Sequence, residues 1–430
     1  MTARRLTWPW LPGALAVLLA LAAALVTWLN VRGEDALTGS ADSFVATPEQ
    51  VARGAYLARA GNCAACHTDR GGAAFAGGKG IATPFGTVFA SNLTPDAKTG
   101  IGRWSAAQFW RALHNGRSAD GRLLYPAFPY PDFTEITRPD ADALFAFLRS
   151  QVPVAQANRA HALRFPYDLQ ASLAVWRALF FTPGVYEPQA ERSPQWNRGA
   201  YLVRALGHCA ACHSPRNAFG ATRDSLELSG GLIPLQNWYA PSLASAAEAG
   251  VADWSDDEVA ALLRTGYTPR GAALGPMAEV VYRSTQYLSD ADVAAMTAFL
   301  KSLPQTPAHA AAAPVIGKEA FAHGAALYKD RCASCHGPSG EGGRSPQGGV
   351  VYAPLAGNRK VLLESPANLI HIVVNGGFPP TTAGNPRPFG MPPFGPSLKD
   401  EEIAVLATYV RAAWGNAAPP VSALDVLEAR

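Results

Sequence analysis

One five-residue motif occurs three times: Cys63-Ala-Ala-Cys66-His67, Cys209-Ala-Ala-Cys212-His213 and Cys332-Ala-Ser-Cys335-His336. Together the copies use all six cysteines of the 430-residue chain. Cysteines at i and i+3 share one helical face, and a histidine at i+4 stays beside it. This is the arrangement that attaches c-type haem: two thiols add to the porphyrin vinyl groups and the imidazole is carried to the iron. A zinc site wants four nitrogen or sulfur ligands, and each run offers three. A redox dithiol needs no histidine after it, and a disulfide framework would not repeat one motif with no cysteine left elsewhere. The chain is therefore expected to hold three covalent haems on Cys63, Cys66, Cys209, Cys212, Cys332 and Cys335, with His67, His213 and His336 as iron ligands.

Length suggests two to four domains, and three motifs make three the natural count. The net charge of +3 and pI near 8.5 give no case for a nucleic-acid partner. Only 16% of residues are charged, against 40 glycines and 35 prolines, which fits compact, loop-rich haem domains. A glycine-led helix start precedes each motif at Gly54, Gly199 and Gly324. Each repeat then closes on an amphipathic helix: Ala141, Leu144 and Leu148 in the first, Val293, Met296 and Leu300 in the second. In the third, Ile403, Leu406, Val410 and Trp414 recur at helical spacing. Ser289 with Asp292 reads as a capping box, and Asp256–Arg264 as a short helix with Val259, Leu262 and Leu263 inward. No segment sustains strand alternation, so the class is mainly α.

The N-terminus carries Arg4 and Arg5, then a nearly uncharged run from Leu6 to Val31 that is apolar from Leu11 to Leu29. About 20 apolar residues span a bilayer, and the arginines favour a cytoplasmic N-terminus. The haem domains would then face the periplasm from an inner (cytoplasmic) membrane. The competing reading is a cleaved signal peptide. Its A-x-A runs, such as Ala22-Ala23-Ala24, lie inside the apolar stretch, and Asn30-Val31-Arg32-Gly33-Glu34-Asp35 is a poor cleavage site, so a retained anchor is preferred.

An electron-carrying haem usually has a second axial ligand, and a methionine thioether raises its potential. Of the four methionines, Met1 starts the chain and Met296 falls on a helix core face, leaving Met277 and Met391. Both are placed in loops before the last helix of their repeat. Met277 follows Ser255 by 22 residues and Met391 follows Ser365 by 26. The matching count of 23 from Ser105 arrives at Phe128, which cannot ligate iron. Three explanations stand for the first haem: an open, five-coordinate iron; ligation by His114 or His161; or a backbone, lysine, water or partner-supplied ligand. His208 shares the proximal side of its haem and is a poor second ligand.

With these residues in place, the chain resembles the three-haem cytochrome c subunits of bacterial membrane-bound dehydrogenases, which serve alcohol, gluconate, sorbitol, fructose and aldehyde oxidation. The resemblance covers about residues 48–430. It rests on Arg53-Gly-Ala-Tyr-Leu-Ala-Arg-Ala-Gly-Asn-Cys63, Thr83-Pro-Phe-Gly-Thr87, Ser91-Asn-Leu-Thr-Pro-Asp96, Trp196-Asn-Arg-Gly-Ala-Tyr-Leu202, Asn237-Trp-Tyr-Ala-Pro-Ser-Leu243, Pro354-Leu-Ala-Gly-Asn358 and His371-Ile-Val-Val-Asn-Gly-Gly377. It implies three His-ligated c haems, with Met277 and Met391 as ligands of the second and third. The fold expected from the residues is three tandem cytochrome c-like domains after an N-terminal transmembrane helix, an anchor that is less usual in the family's quinoprotein alcohol branch. The family's first domain usually reads Tyr-Pro-Ala-Met-Pro-Tyr; here Phe128 replaces the methionine.

The expected division is an anchor or signal segment (1–32), cytochrome c domain 1 (45–155), an aromatic linker (156–190), domain 2 (191–303), a Pro/Ala linker (304–316), domain 3 (317–416) and a C-terminal tail (417–430). No Rossmann fingerprint, quinoprotein propeller or molybdenum site is recognisable. Substrate oxidation is therefore assigned to a catalytic partner of the PQQ, flavin or molybdenum type, and this chain to relaying single electrons onward to ubiquinone or a terminal oxidase. A haem peroxidase or gas-binding module built on the first haem is the alternative.

Overall fold

The computed structural model describes residues 11–37, 39–40, 44–222, 224–306, 316–344 and 350–430. Arg4, Arg5 and most of the 304–316 linker lie outside them. The fold is mainly helical, with short antiparallel strand pairs. Backbone contacts gather the chain into two compact units: residues 1–54 with 67–186, and 55–66 with 187–430. The first motif's repeat contributes to both, while the second unit holds the whole of the second and third repeats.

Each repeat uses the same sequence of elements. An opening helix (Pro48–Ala60, Pro194–Tyr201, Lys318–Arg331) leads to the cysteine motif. Next come a strand pair and a middle helix (Ala106–Asn115, Asp256–Thr265, Ala367–Asn375). A closing helix (Arg138–Arg149, Asp290–Lys301, Asp400–Ala412) completes it. Ser105 with Gln108 and Ser255 with Glu258 form full capping boxes, which fix where two of the middle helices begin.

Gly54, Gly199 and Gly324 are interior residues of the opening helices, not their starts. A Cβ on Gly54 would collide with the carbonyl of Ala143, and one on Gly199 with that of Ala295. One on Gly324 would meet Val405 and Tyr409. The glycines are needed because the opening and closing helices cross with their backbones almost touching. Arg53 braces this crossing against Asp140 in the first unit, and Arg198 makes a paired contact with Asp292 in the second, both Arg198 bonds being 2.8 Å. Asp292 is thereby taken from its expected cap. Ser289 Oγ still accepts from the Asp292 N–H at 3.2 Å, but the Ser289 N–H donates to the Tyr56 hydroxyl, itself a donor to Asp292.

The closing helices bury the faces their periodicity marks: Ala141, Leu144 and Leu148; Val293, Met296 and Leu300; Ile403, Leu406 and Val410. Trp414 departs from the expected helical period. The helix ends at Ala412, and Trp414, at φ 57°, folds back over Gly340 and against Tyr328. The C-terminal residues are not a tail. Ala423–Ala429 is a capped helix whose Val426 and Ala429 complete the core of the third repeat.

The aromatic segment 156–190 is ordered structure. Ala162–Leu163 pairs with the strand Gly86–Phe89, and Gln170–Phe180 is a helix packed on the apolar helix Leu11–Val31. Within Pro12–Val31 an 18-residue stretch of that N-terminal helix has a mean hydropathy of 2.3, and the helix is long and apolar enough to cross a membrane. Within the second unit, Arg359 reaches Asp253 at 2.9 Å and the Gly250 carbonyl at 2.8 Å, and Trp238 stacks on His371 at 4.7 Å, joining the second and third repeats.

Candidate haem sites

The motifs fold into single helical turns: Cys63–His67, Ala210–His213 and Ala333–His336. The His213 N–H donates to the Cys209 carbonyl and the His336 N–H to that of Cys332, each at 2.9 Å, fixing histidine against first cysteine. Burial pushes the Cys63 thiol up to about 12 and that of Cys332 up to about 11, so these groups stay protonated unless covalently used.

The three imidazoles are held in one way. His67 Nδ1 lies 2.8 Å from the Ser91 carbonyl, His213 Nδ1 2.7 Å from that of Pro241, and His336 Nδ1 2.8 Å from that of Ala353. A carbonyl can only accept, so Nδ1 carries the proton and Nε2 keeps its lone pair for a metal. Burial lowers all three histidine pKa values, the carbonyl contact partly opposing it. The net effect leaves the ring neutral at physiological pH, as an iron ligand must be. The residues therefore fit haem c.

Two more bonds repeat around each histidine. Its own carbonyl accepts from Gly77, Gly230 or Gly342, at 2.7 to 2.8 Å. The carbonyl of a left-handed residue (Phe75, Leu228, Gly340) accepts from Leu93, Leu243 or Leu355. The three glycines have φ of 77°, 88° and 80°, and a Cβ on Gly77 or Gly342 would strike the acceptor strand's backbone. Sequence reading missed this brace because the loop between histidine and glycine changes length from repeat to repeat. The signal it left is the leucine two residues beyond each acceptor, at 93, 243 and 355.

On the other side of each repeat, the middle helix stops at a glycine of positive φ, left-handed at Gly116 and Gly266 and more extended at Gly376. The Gly116 carbonyl accepts from Leu124 at 2.8 Å, and the Gly266 carbonyl from Ala273 at 2.6 Å. Phe128 lies four residues after the first clamp and Met277 four after the second, so the backbone register makes them equivalent. In the third repeat Met391 is itself clamped, exchanging two bonds with Gly377 and packing against the core. Met277 is not in a loop but in the first turn of the helix Gly275–Arg283, because Pro276 presets helical φ there. Met391 keeps the expected loop. Met296 is core.

His114, His161 and His208 make other contacts. His114 Nδ1 donates to the Thr134 carbonyl at 2.8 Å, with its ring stacked on Trp110. His161 Nδ1 accepts from the Phe89 N–H. His208 is turned to the Leu206 carbonyl beside Cys209.

Comparisons with known proteins agree with this geometry. The cytochrome c family matches residues 51–151 and 197–304, and the family of cbb3-type cytochrome c oxidase subunit III matches 319–410. The chain is 38% identical to the cytochrome c subunit of alcohol dehydrogenase (quinone) of Gluconacetobacter polyoxogenes, over 92% of this chain and 86% of that one. It is 39% identical to the gluconate 2-dehydrogenase cytochrome c subunit of Pantoea cypripedii, over 88% and 89%. A nicotinate dehydrogenase subunit of Pseudomonas putida is 44% identical over 84% of this chain, which spans only 30% of that longer protein. These relatives are named as dehydrogenase subunits, not as peroxidases. The chain belongs to the cytochrome c subunits of bacterial dehydrogenases: it carries covalent haem c and transfers electrons, and is not itself a catalytic subunit.

Proposed function

We propose that the chain relays single electrons through three c-type haems, from a separate catalytic dehydrogenase subunit to membrane ubiquinone or a terminal oxidase. The observation that carries the count is the brace repeated at His67, His213 and His336, each Nδ1 on a backbone carbonyl. When bound, haem c supplies an iron that cycles between ferrous and ferric states. The protein's part is to hold His67, His213 and His336 neutral as the imidazoles that would ligate iron, and to supply Met277 and Met391 as the thioethers that would ligate it in the second and third repeats. In the first repeat Phe128 stands at the methionine register, so that haem is without a thioether ligand. The catalytic partner is of the PQQ, flavin or molybdenum type. The apolar helix Leu11–Val31 holds the complex at the inner membrane with the haem repeats on the periplasmic side.

Haem quantified against protein in the purified chain should give three per polypeptide, and two would reject the count. The affinity-tagged chain should co-purify with a larger dehydrogenase subunit and pass its electrons to added quinone. A chain isolated alone from its native membrane, with no quinone reductase activity in any fraction containing it, would reject the relay.

A further inference from the structure

We infer that the helix Gln170–Phe180, together with Phe165, Tyr167 and Leu169 before it, is a second membrane contact lying in the headgroup layer of a phospholipid bilayer. This rests on the reading of Leu11–Val31 as a membrane-spanning helix.

A helix of 21 residues is about 30 Å long, the thickness of the hydrocarbon layer. Its last turn marks the boundary. Trp28 is exposed there, with the Arg32 guanidinium 5.9 Å from its ring, an aromatic and a cation at the depth where both are favoured. In the same turn Asn30 Nδ2 donates at 2.8 Å to the Val26 carbonyl of its own helix and to the Ala174 carbonyl of the linker helix. Arg177 Nε donates back to Asn30 Oδ1 at 2.8 Å. The linker helix is thus bolted to the spanning helix where the span ends.

Arg177 is the linker helix's single charged residue, and it is 3% exposed, spent on Asn30 and on the Gly116 carbonyl. The outward face is therefore uncharged. Ala171, Val175 and Leu179 form an exposed i, i+4 stripe. Leu179 is 68% exposed and Phe165, just upstream, 78%. Such a surface is costly in water. It continues from a helix end fixed at the bilayer boundary, so lipid is what it meets there. With Arg177 turned to the protein, the helix binds by apolar burial and not by charge, the exposed Asp168 before it staying on the aqueous side of the headgroup layer, and salt should leave the contact unchanged.

The test uses the full chain in phosphatidylcholine liposomes doped with a phospholipid bearing an acyl-chain diazirine, irradiated and mapped by mass spectrometry. Lipid adducts are expected on peptides covering 165–180 as well as 11–31, at low and high salt alike. Val175→Glu with Leu179→Glu should cut the linker adducts at least about fivefold, because a carboxylate is strongly disfavoured in the apolar layer, while adducts on 11–31 persist and the haem spectrum is unchanged. Adducts confined to 11–31, or linker adducts indifferent to the double substitution, overturn the inference. Cross-links between two copies at 165–180 without lipid adducts overturn it in favour of self-association. Adducts on neither segment reject the spanning helix itself, a separate failure.

Discussion

The imidazole of His213 is held by the carbonyl of Pro241, 28 residues on, at 2.7 Å from Nδ1. The bond settles the ring's tautomer and leaves Nε2 with a lone pair available to a metal. Ser91 and Ala353 serve His67 and His336 alike.

Met277→Ala removes the thioether at the second repeat without touching that brace. The reduced protein should then gain carbon monoxide binding at one further haem equivalent, with a lowered midpoint potential for that haem. Absorption difference spectra and a redox titration measure both, and an unaltered spectrum would remove Met277 from the ligand set.

Phe128→Met is the converse. Because Phe128 holds the register of Met277, the new thioether should convert the first haem to the low-spin state and abolish any carbon monoxide binding by the reduced wild-type protein. A ferric spectrum that does not change would show that the first haem already has another strong ligand.

Gly199→Val should cost at least about 3 kcal/mol, since its Cβ collides with the Ala295 carbonyl and neither backbone can retreat without opening the crossing. Gly184, with open space around it, is the control: Gly184→Ala should change stability by less than about 0.5 kcal/mol. Denaturant melts of the haem-loaded chain compare the two.

Arg411 is fully buried and donates to the carbonyls of Pro419, Val361 and Glu364. Burial brings its pKa down to about 10, so it remains a cation at neutral pH. Arg411→Met leaves three inward carbonyls without donors and should destabilise the third repeat by about 3–5 kcal/mol. Thermal unfolding followed at the third haem's absorption would register it.

Burial holds His114 below its ordinary pKa of 6.5, outweighing the Thr134 carbonyl. As pH falls through that value the unfolded chain takes the proton first, so stability is intact above about pH 7 and is lost from about 6.5 downward. His114→Gln keeps a donor for Thr134 and does not titrate. Its melting temperature should therefore fall less between about pH 7.5 and 5.5 than that of the wild type.

Much of the chemistry was legible in the chain because it is local. A C-x-x-C-H run needs only one helical turn to aim two sulfurs and an imidazole, and the closing helices announce their buried faces by period alone. The lack of any methionine between Met1 and Met277 is likewise a fact of sequence. Other features join residues far apart along the chain, and no short-range spacing encodes them. The carbonyls of Ser91, Pro241 and Ala353 reach the histidines across loops of unequal length. Arg411, charged and ranked for the surface by composition, is interior because three carbonyls converge on it. Trp414 leaves its helical period to cover Gly340, and the last residues become core because Val426 finds the space beneath the closing helix. The aromatic linker was visible as apolar sequence, but only its packing on Asn30 turned Arg177 inward and left an uncharged face at the end of the anchor. Sequence determined what each repeat can bind. Tertiary structure decided which imidazole nitrogen keeps its lone pair, where Phe128 and Met277 stand in register, and which apolar surface is left exposed, because those depend on backbone groups brought together only when the chain has folded.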